Sequence, residues 1–173
     1  MTHSNNEQTE VEQAGEILFN FAVDREDIKA LVKLLPDEAK CKPTAVEYEL
    51  QLLKIITTGW SISFFLEEHS IRDQIAEVFW KLIHDLSESL SETTGLMAGH
   101  DIDYFHIIKN RLDMYVSALT EKPDITEPAA VIGPEFAKVC GDVDDVYTVM
   151  TGSRMFILTV ARVKEYLESL ALQ

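Results

Sequence analysis

The residues of this sequence best equipped for chemistry are its histidines and the carboxylates beside them. Glu67, Glu68 and His69 form one group, and His100, Asp101, Asp103 and His106 form a second. Imidazole nitrogens combined with carboxylate oxygens suit zinc, manganese, iron or nickel. Asp103 and His106 stand three apart, so a helix puts them on one face, which Asn110 and Asp113 continue. Helical bundles present inward-facing metal ligands in this way. The same residues also have a plain structural reading. Asp101 is a natural N-cap, Asp103 suits the positive first turn of a helix, and His106 fits a core boundary. His84-Asp85 has the look of a paired metal ligand. However, Ile71, Ile75, Val78, Phe79, Leu82, Leu86 and Leu90 recur at helical spacing. That stripe sets His84 on the opposite, solvated side, with Glu77, Trp80, Lys81 and Glu88.

His69-Ser70, then His100-Asp101, then Asp142 or Asp145 follow one another in chain order. In this order the sequence resembles the HD phosphohydrolase superfamily. That family is all-helical and places a first His, a later His-Asp pair and a final Asp around one or two metals. The resemblance implies a hydrolase that depends on a divalent metal, held by His69, His100, Asp101 and Asp142 or Asp145; with the second histidine group taken into account, the candidate ligands of such a hydrolase are His69, His100, Asp101 and His106. It covers four positions of the family's pattern. After the pair the chain reads Ile102-Asp103-Tyr104, without the family's usual glycine.

Other catalytic signatures are missing. The sequence has no Walker A loop, GxGxxG, GxSxG, HExxH or EF-hand loop. A di-iron bundle needs Glu-x-x-His motifs, and none occurs. The seven glycines form no glycine-rich turn that would cradle a phosphate.

Charge narrows the partners. The 173 residues carry 30 acids and 15 bases, a net charge of −15. Nucleic acid and anionic membranes call for a basic stripe. The closest basic pairs, Lys40 with Lys42, Lys109 with Arg111 and Arg162 with Lys164, are short and isolated. Neither nucleic acid nor membrane is therefore expected as a partner. A basic protein partner is compatible with the acidic patches at Asp142, Asp144 and Asp145 and at Glu7, Glu10, Glu12 and Glu16. Cys41 and Cys140 stand alone, without a CxxC pair, and the first residues lack the basic and apolar regions of a secretory signal. A reducing, cytoplasmic setting is the expectation. The longest uncharged apolar stretch, Ile55 to Leu66, is too short to span a bilayer.

The elements that must position these groups follow from the prolines. All five lie in two places, Pro36 with Pro43, and Pro123, Pro128 and Pro134. Proline breaks helix interiors, so its absence elsewhere permits long helices. Residues 1–13 are polar and are expected to fray ahead of a single helical domain over 14–173. A short helix holds Ile17 to Phe21. Asp24, with Asp27 three residues on, caps a helix over about 25–35. Helices are predicted near 44–68, 70–93, 101–121 and 134–171, with 122–133 as a loop. A break near Gly141 would be re-capped by Asp142 or Asp144.

Two helices are apolar on more than one side. The 44–68 helix is so on most sides. In 101–121, one stripe holds Phe105, Ile108, Leu112, Val116 and Leu119, and a second holds Tyr104, Ile107, Met114 and Ala118. Such a helix is central in a bundle or shared with a partner, which makes a homodimer credible. Thr58-Gly59 and Thr151-Gly152 each precede apolar runs, and the two helices are expected to cross near these glycines. The fold class is therefore all-α, an irregular bundle of about five to seven helices. The function expected is that of a non-enzymatic regulatory, adaptor or chaperone-like interaction module, with no cofactor. The metal-dependent hydrolase is the alternative.

Overall fold

The computed structural model describes residues 3–170, with side chains from residue 10. Seven α-helices and no strand lie among the described residues: α1 His3–Val23, α2 Glu26–Lys33, α3 Pro43–Phe65, α4 Arg72–Ala98, α5 Tyr104–Thr120, α6 Ala129–Cys140 and α7 Val146–Ser169. The protein is thus an all-α bundle. None of these helices is long and apolar enough to cross a membrane. The polar segment 1–13 is helical from His3 onward, as part of α1, and residues 1–2 lie outside the described residues.

Helix α3 is the axle. It touches every other helix. The sequence explains why. From Val46 to Ile62 its apolar and small residues point in all directions, and Leu50, Leu53, Ile56, Thr58, Ser61 and Ile62 are all buried. A helix apolar on every side is stable in water only when surrounded. Two charged side chains, Glu49 and Lys54, are buried with them. Lys54 sits in α3 with its side chain 1% exposed. Its ammonium donates to the Asp24 carbonyl at 2.9 Å, pairs with Asp27 at 3.4 Å and lies 4.5 Å from the centre of the Phe21 ring. Beside it, Gln51 Nε2 donates to the Ala22 carbonyl at 2.8 Å. The last turn of α1 leaves carbonyls unpaired, and these two α3 side chains satisfy them.

Local chemistry sets most helix ends, sometimes one residue away from the expected position. The Asp24 carboxylate does accept a backbone N–H, that of Glu26, but the cap position falls on Arg25. Asp27 turns to Lys54 instead of closing a capping box. Asp103, and not Asp101, caps α5 by accepting the His106 N–H at 2.9 Å. The break at Gly141 is present, with φ +122°, but Asp145 caps the next helix, in place of Asp142 or Asp144. The expected loop over 122–133 is shorter than predicted, because α6 starts at Ala129 and holds Pro134 inside it. Proline there forfeits a backbone bond. Burial of Val131, Ile132, Phe136 and Ala137 compensates.

The two-sided reading of α5 resolves into one broad inward face. Ile108, Tyr115 and Ala118 are buried, and Ile107, Leu112 and Met114 pack against the core. Val116, placed in the first stripe, is exposed. Helix α5 lies on α3, α4 and α6 and is peripheral. The Tyr104, Ile107, Met114 and Ala118 stripe is thus turned into the core or half-buried.

Helices α3 and α7 do pack together, with the Trp60 and Phe156 rings 5.8 Å apart. Their glycines play a different part from the one expected. A Cβ at Gly59 would run into the Trp80 ring from α4, and one at Gly152 into the Phe136 ring from α6, at 2.5 Å. Each glycine seats an aromatic ring rather than a crossing backbone. Glycine to alanine inside a helix normally gains up to ~1 kcal/mol. Here overpacking reverses the sign. Gly152→Ala is expected to lose about 1–3 kcal/mol, read as a lower urea midpoint at unchanged slope. A gain in stability would show that Phe136 swings aside freely.

Candidate functional site

The four candidate ligands do not meet. His69 lies in the turn between α3 and α4, while His100 and Asp101 follow the end of α4. The 27 residues of α4 hold these two places about 40 Å apart. His106 is exposed in the first turn of α5, and its backbone N–H is taken by Asp103. The His100 ring stays local, with Nδ1 3.1 Å from the Ala98 carbonyl. The final Asp of the family pattern fails in the same way. Asp145 holds residues 40 and 41, just before α3, whereas His69 lies beyond the far end of that 23-residue helix. The chain order of the motif therefore does not become a cluster in space.

Among the described residues, one trio of ligand-type groups converges: His84, Asp85 and Glu88, with ligand atoms within 4.8 Å of one another. It lies on the solvated flank of α4. The His84 side chain is 44% exposed, and its nitrogens stand 3.7 Å from Asp85 and 3.8 Å from Glu88. The ring rests edge-on against Phe105 at 4.8 Å.

The densest polar cluster lies elsewhere, around the start of α3. Asp145 is 2% exposed. Its carboxylate accepts the N–H groups of Lys40 at 2.9 Å, Cys41 at 3.0 Å and Tyr147 at 3.2 Å, and the Thr148 hydroxyl at 2.8 Å. Burial alone would raise its pKa. The donors from Cys41, Thr148 and Lys40 outweigh burial and hold the carboxyl at about 2, below the usual 3.8. One side chain thereby caps α7 and fastens the α2–α3 connection to it.

Next to this, Glu49 of α3 and Arg111 of α5 form a two-pronged ion pair at 2.8 and 2.9 Å. The Glu49 side chain is 6% exposed and that of Arg111 27%. The pair shapes its neighbours. Burial, then the Glu49 charge, pushes the Tyr115 hydroxyl far above its ordinary range. The Cys140 thiol is driven up by burial first, then by Glu49 and Cys41. Cys41 and Cys140 are both buried free thiols, and the Cys41 sulfur lies 4.0 Å from the Asp142 carbonyl. A thiolate is the reactive form of cysteine, which burial opposes at Cys140, and burial shuts the reagent out at both sulfurs. Ellman's reagent is therefore expected to leave both thiols unlabelled in the native protein at pH 8 and to label two per chain after unfolding. Rapid native labelling would mean that the α2–α3 connection opens readily.

In this cluster the carboxylates and Arg111 are engaged with one another and with helix ends, whereas the buried Tyr115 hydroxyl has no hydrogen-bond partner among the described residues. No described histidine joins it: His69, His84, His100 and His106 all lie on other surfaces. Sequence reasoning placed Asp145 in an acidic patch and Arg111 in an isolated basic pair, so it missed both roles.

The outer face of α7 forms the third feature. From Val146 to Ala161 its exposed residues are Val146, Tyr147, Met150, Arg154, Ile157, Leu158 and Ala161. Six of these seven are apolar or aromatic, and Val146 and Ile157 are more than half exposed, at 63% and 54%. The opposite face, with Thr148, Thr151, Met155, Phe156, Thr159 and Val163, is buried. No family model, curated protein or solved structure matches the chain.

Proposed function

We propose that the protein is a non-enzymatic interaction module, regulatory, adaptor or chaperone-like in kind, which docks a protein partner along the outer face of α7. The observation that carries this reading is the run of six apolar or aromatic side chains among the seven exposed between Val146 and Ala161. Apolar side chains scattered singly over a surface need no explanation, but a contiguous helical face of them fits an interaction site. The net charge of −15 keeps such a face soluble while it is uncovered. The separation of His69 from His100 and Asp101 along α4 weighs against the metal-dependent hydrolase.

The test is a double variant, Met150→Glu with Ile157→Glu. Both side chains point to solvent, so the fold is expected to survive, with a melting temperature within about 3 °C of wild type. Tagged wild type and variant are expressed in cells of the native source, and what co-purifies is quantified by mass spectrometry. The expected result is a partner retained by wild type and depleted at least tenfold by the variant. The same partners at undiminished levels, or nothing above a tag-only control with wild type, would overturn the reading.

A further inference from the structure

We propose that the occupant of the α7 face is an amphipathic helix of another protein, with a carboxylate at the middle of its apolar stripe; this rests on the docking role of α7. Spacing supports a helix. Tyr147, Met150, Arg154, Ile157 and Ala161 follow one another at intervals of three, four, three and four. That is the seam of a coiled coil, flanked here by Val146 and Leu158. The seam is about 21 Å long at 1.5 Å per residue, four turns of a docked helix.

Charge supports the carboxylate. The chain is acidic overall, yet from Val146 to Lys164 it has no Asp or Glu and three cations, Arg154, Arg162 and Lys164. Lys164 pairs with Glu168 at 3.8 Å. Arg154 and Arg162 have no carboxylate within ion-pair distance among the described residues. The seam that would be covered, Tyr147 to Ala161, therefore carries one charge, the Arg154 cation, although net charge alone suggested a basic partner. Arg154 stands at the centre of the seam, seven residues from either end. A guanidinium closed under apolar side chains needs an acceptor, and a carboxylate meets its fork with two bonds. A second copy paired through the same face would bring Arg154 towards its own image, cation against cation. A charged residue at a seam position selects partners by such matching.

The position of Arg154 makes the test independent of helix direction, because the centre of the seam is shared by parallel and antiparallel docking. The probes are synthetic 21-residue helical peptides with leucine at every seam position except the central one. That position is Glu in one peptide and Lys in the other. Fluorescence anisotropy at 0.15 M salt reads binding to the full chain. The Glu peptide is expected to bind wild type about tenfold or more tightly than the Lys peptide. Arg154→Glu is expected to reverse the order, and Arg154→Ala to abolish the difference. Both variants are checked for an unchanged melting temperature.

Equal affinities, or no reversal in Arg154→Glu, would overturn the carboxylate. Sedimentation equilibrium showing a dimer that Met150→Glu with Ile157→Glu dissolves would overturn it in favour of a second copy, and would leave α7 as the docking face. If peptide binding survives that double variant, the proposal fails outright. The docking role itself stands or falls separately, on the co-purification experiment.

Discussion

Arg111→Ala is expected to cost about 3 kcal/mol of folding stability. Glu49 accepts two guanidinium bonds at 2.8 and 2.9 Å and is almost wholly enclosed. Removing the arginine leaves that carboxylate in a poorly solvated place with its counter-charge gone. Orphaning one member of a buried pair costs about 3–5 kcal/mol. The lower figure applies because the Arg111 side chain keeps 27% of its exposure, so some water already reaches the pair. In a chain of this length the loss corresponds to a melting temperature lower by about 6–12 °C.

The companion variant separates the cause. Glu49→Leu with Arg111→Met removes both charges and retains most of the volume. It is expected to lie within about 1 kcal/mol of wild type, since the attraction of such a pair roughly balances its desolvation. Urea melts of the single and double variants read the difference directly. If the double variant falls as far as Arg111→Ala, the loss comes from packing between α3 and α5, and the orphaned charge is not its source. A single-variant loss below about 0.5 kcal/mol would mean that Glu49 is reached by water after a small rearrangement.

How much of this was legible in the sequence depends on the distance over which each signal acts. The apolar run of α3 announced a surrounded helix, because periodicity is a local property and every side of that helix carries it. Pro36, Gly141 and the proline-free spans marked ends and lengths for the same reason. Caps were legible to within a few residues. Asp101, Asp103, Asp142, Asp144 and Asp145 all have the right chemistry, and tertiary packing decides which one is used. Glu49 with Arg111, and Asp145 with residues 40 and 41, are separated by 62 and 104–105 residues. Nothing periodic links such positions, so an isolated basic pair and an acidic patch were all that the sequence displayed.

The candidate sites divide along the same line. The order of His69, His100, Asp101 and His106 was legible, but order along a chain says nothing of the 27-residue helix that lies between the first and the other three. The face of α7 was hidden in an unbroken apolar run, Met155 to Leu158. Packing turns Met155 and Phe156 inward and leaves Ile157 and Leu158 outside. A run of four cannot tell inside from outside when all four residues are apolar.

Asp145→Asn tests the other end of α7. The carboxylate takes four donors, from Lys40, Cys41, Tyr147 and Thr148, and an amide would turn an NH2 towards groups that themselves donate. The size of the loss follows from titration. A carboxyl held at about 2 in the folded chain, against the usual 3.8, represents about 2–3 kcal/mol of preference for the charged form. Because the folded value is depressed, this stability is fully present above pH ~4 and is lost as pH falls towards 2. At pH 7 the asparagine variant is therefore expected to be weaker by about 2–3 kcal/mol, or roughly 5–10 °C in melting temperature. The gap should close as pH falls from 4 to 2, because protonation deprives the wild type of the same charge. Other carboxylates titrate over this range in both proteins, so the difference between the two urea midpoints isolates Asp145. A gap that stays constant with pH would assign the loss to geometry at the cap. A closing gap would show that one buried charge fixes the start of α7, and with it the position of the exposed seam that begins two residues later at Tyr147.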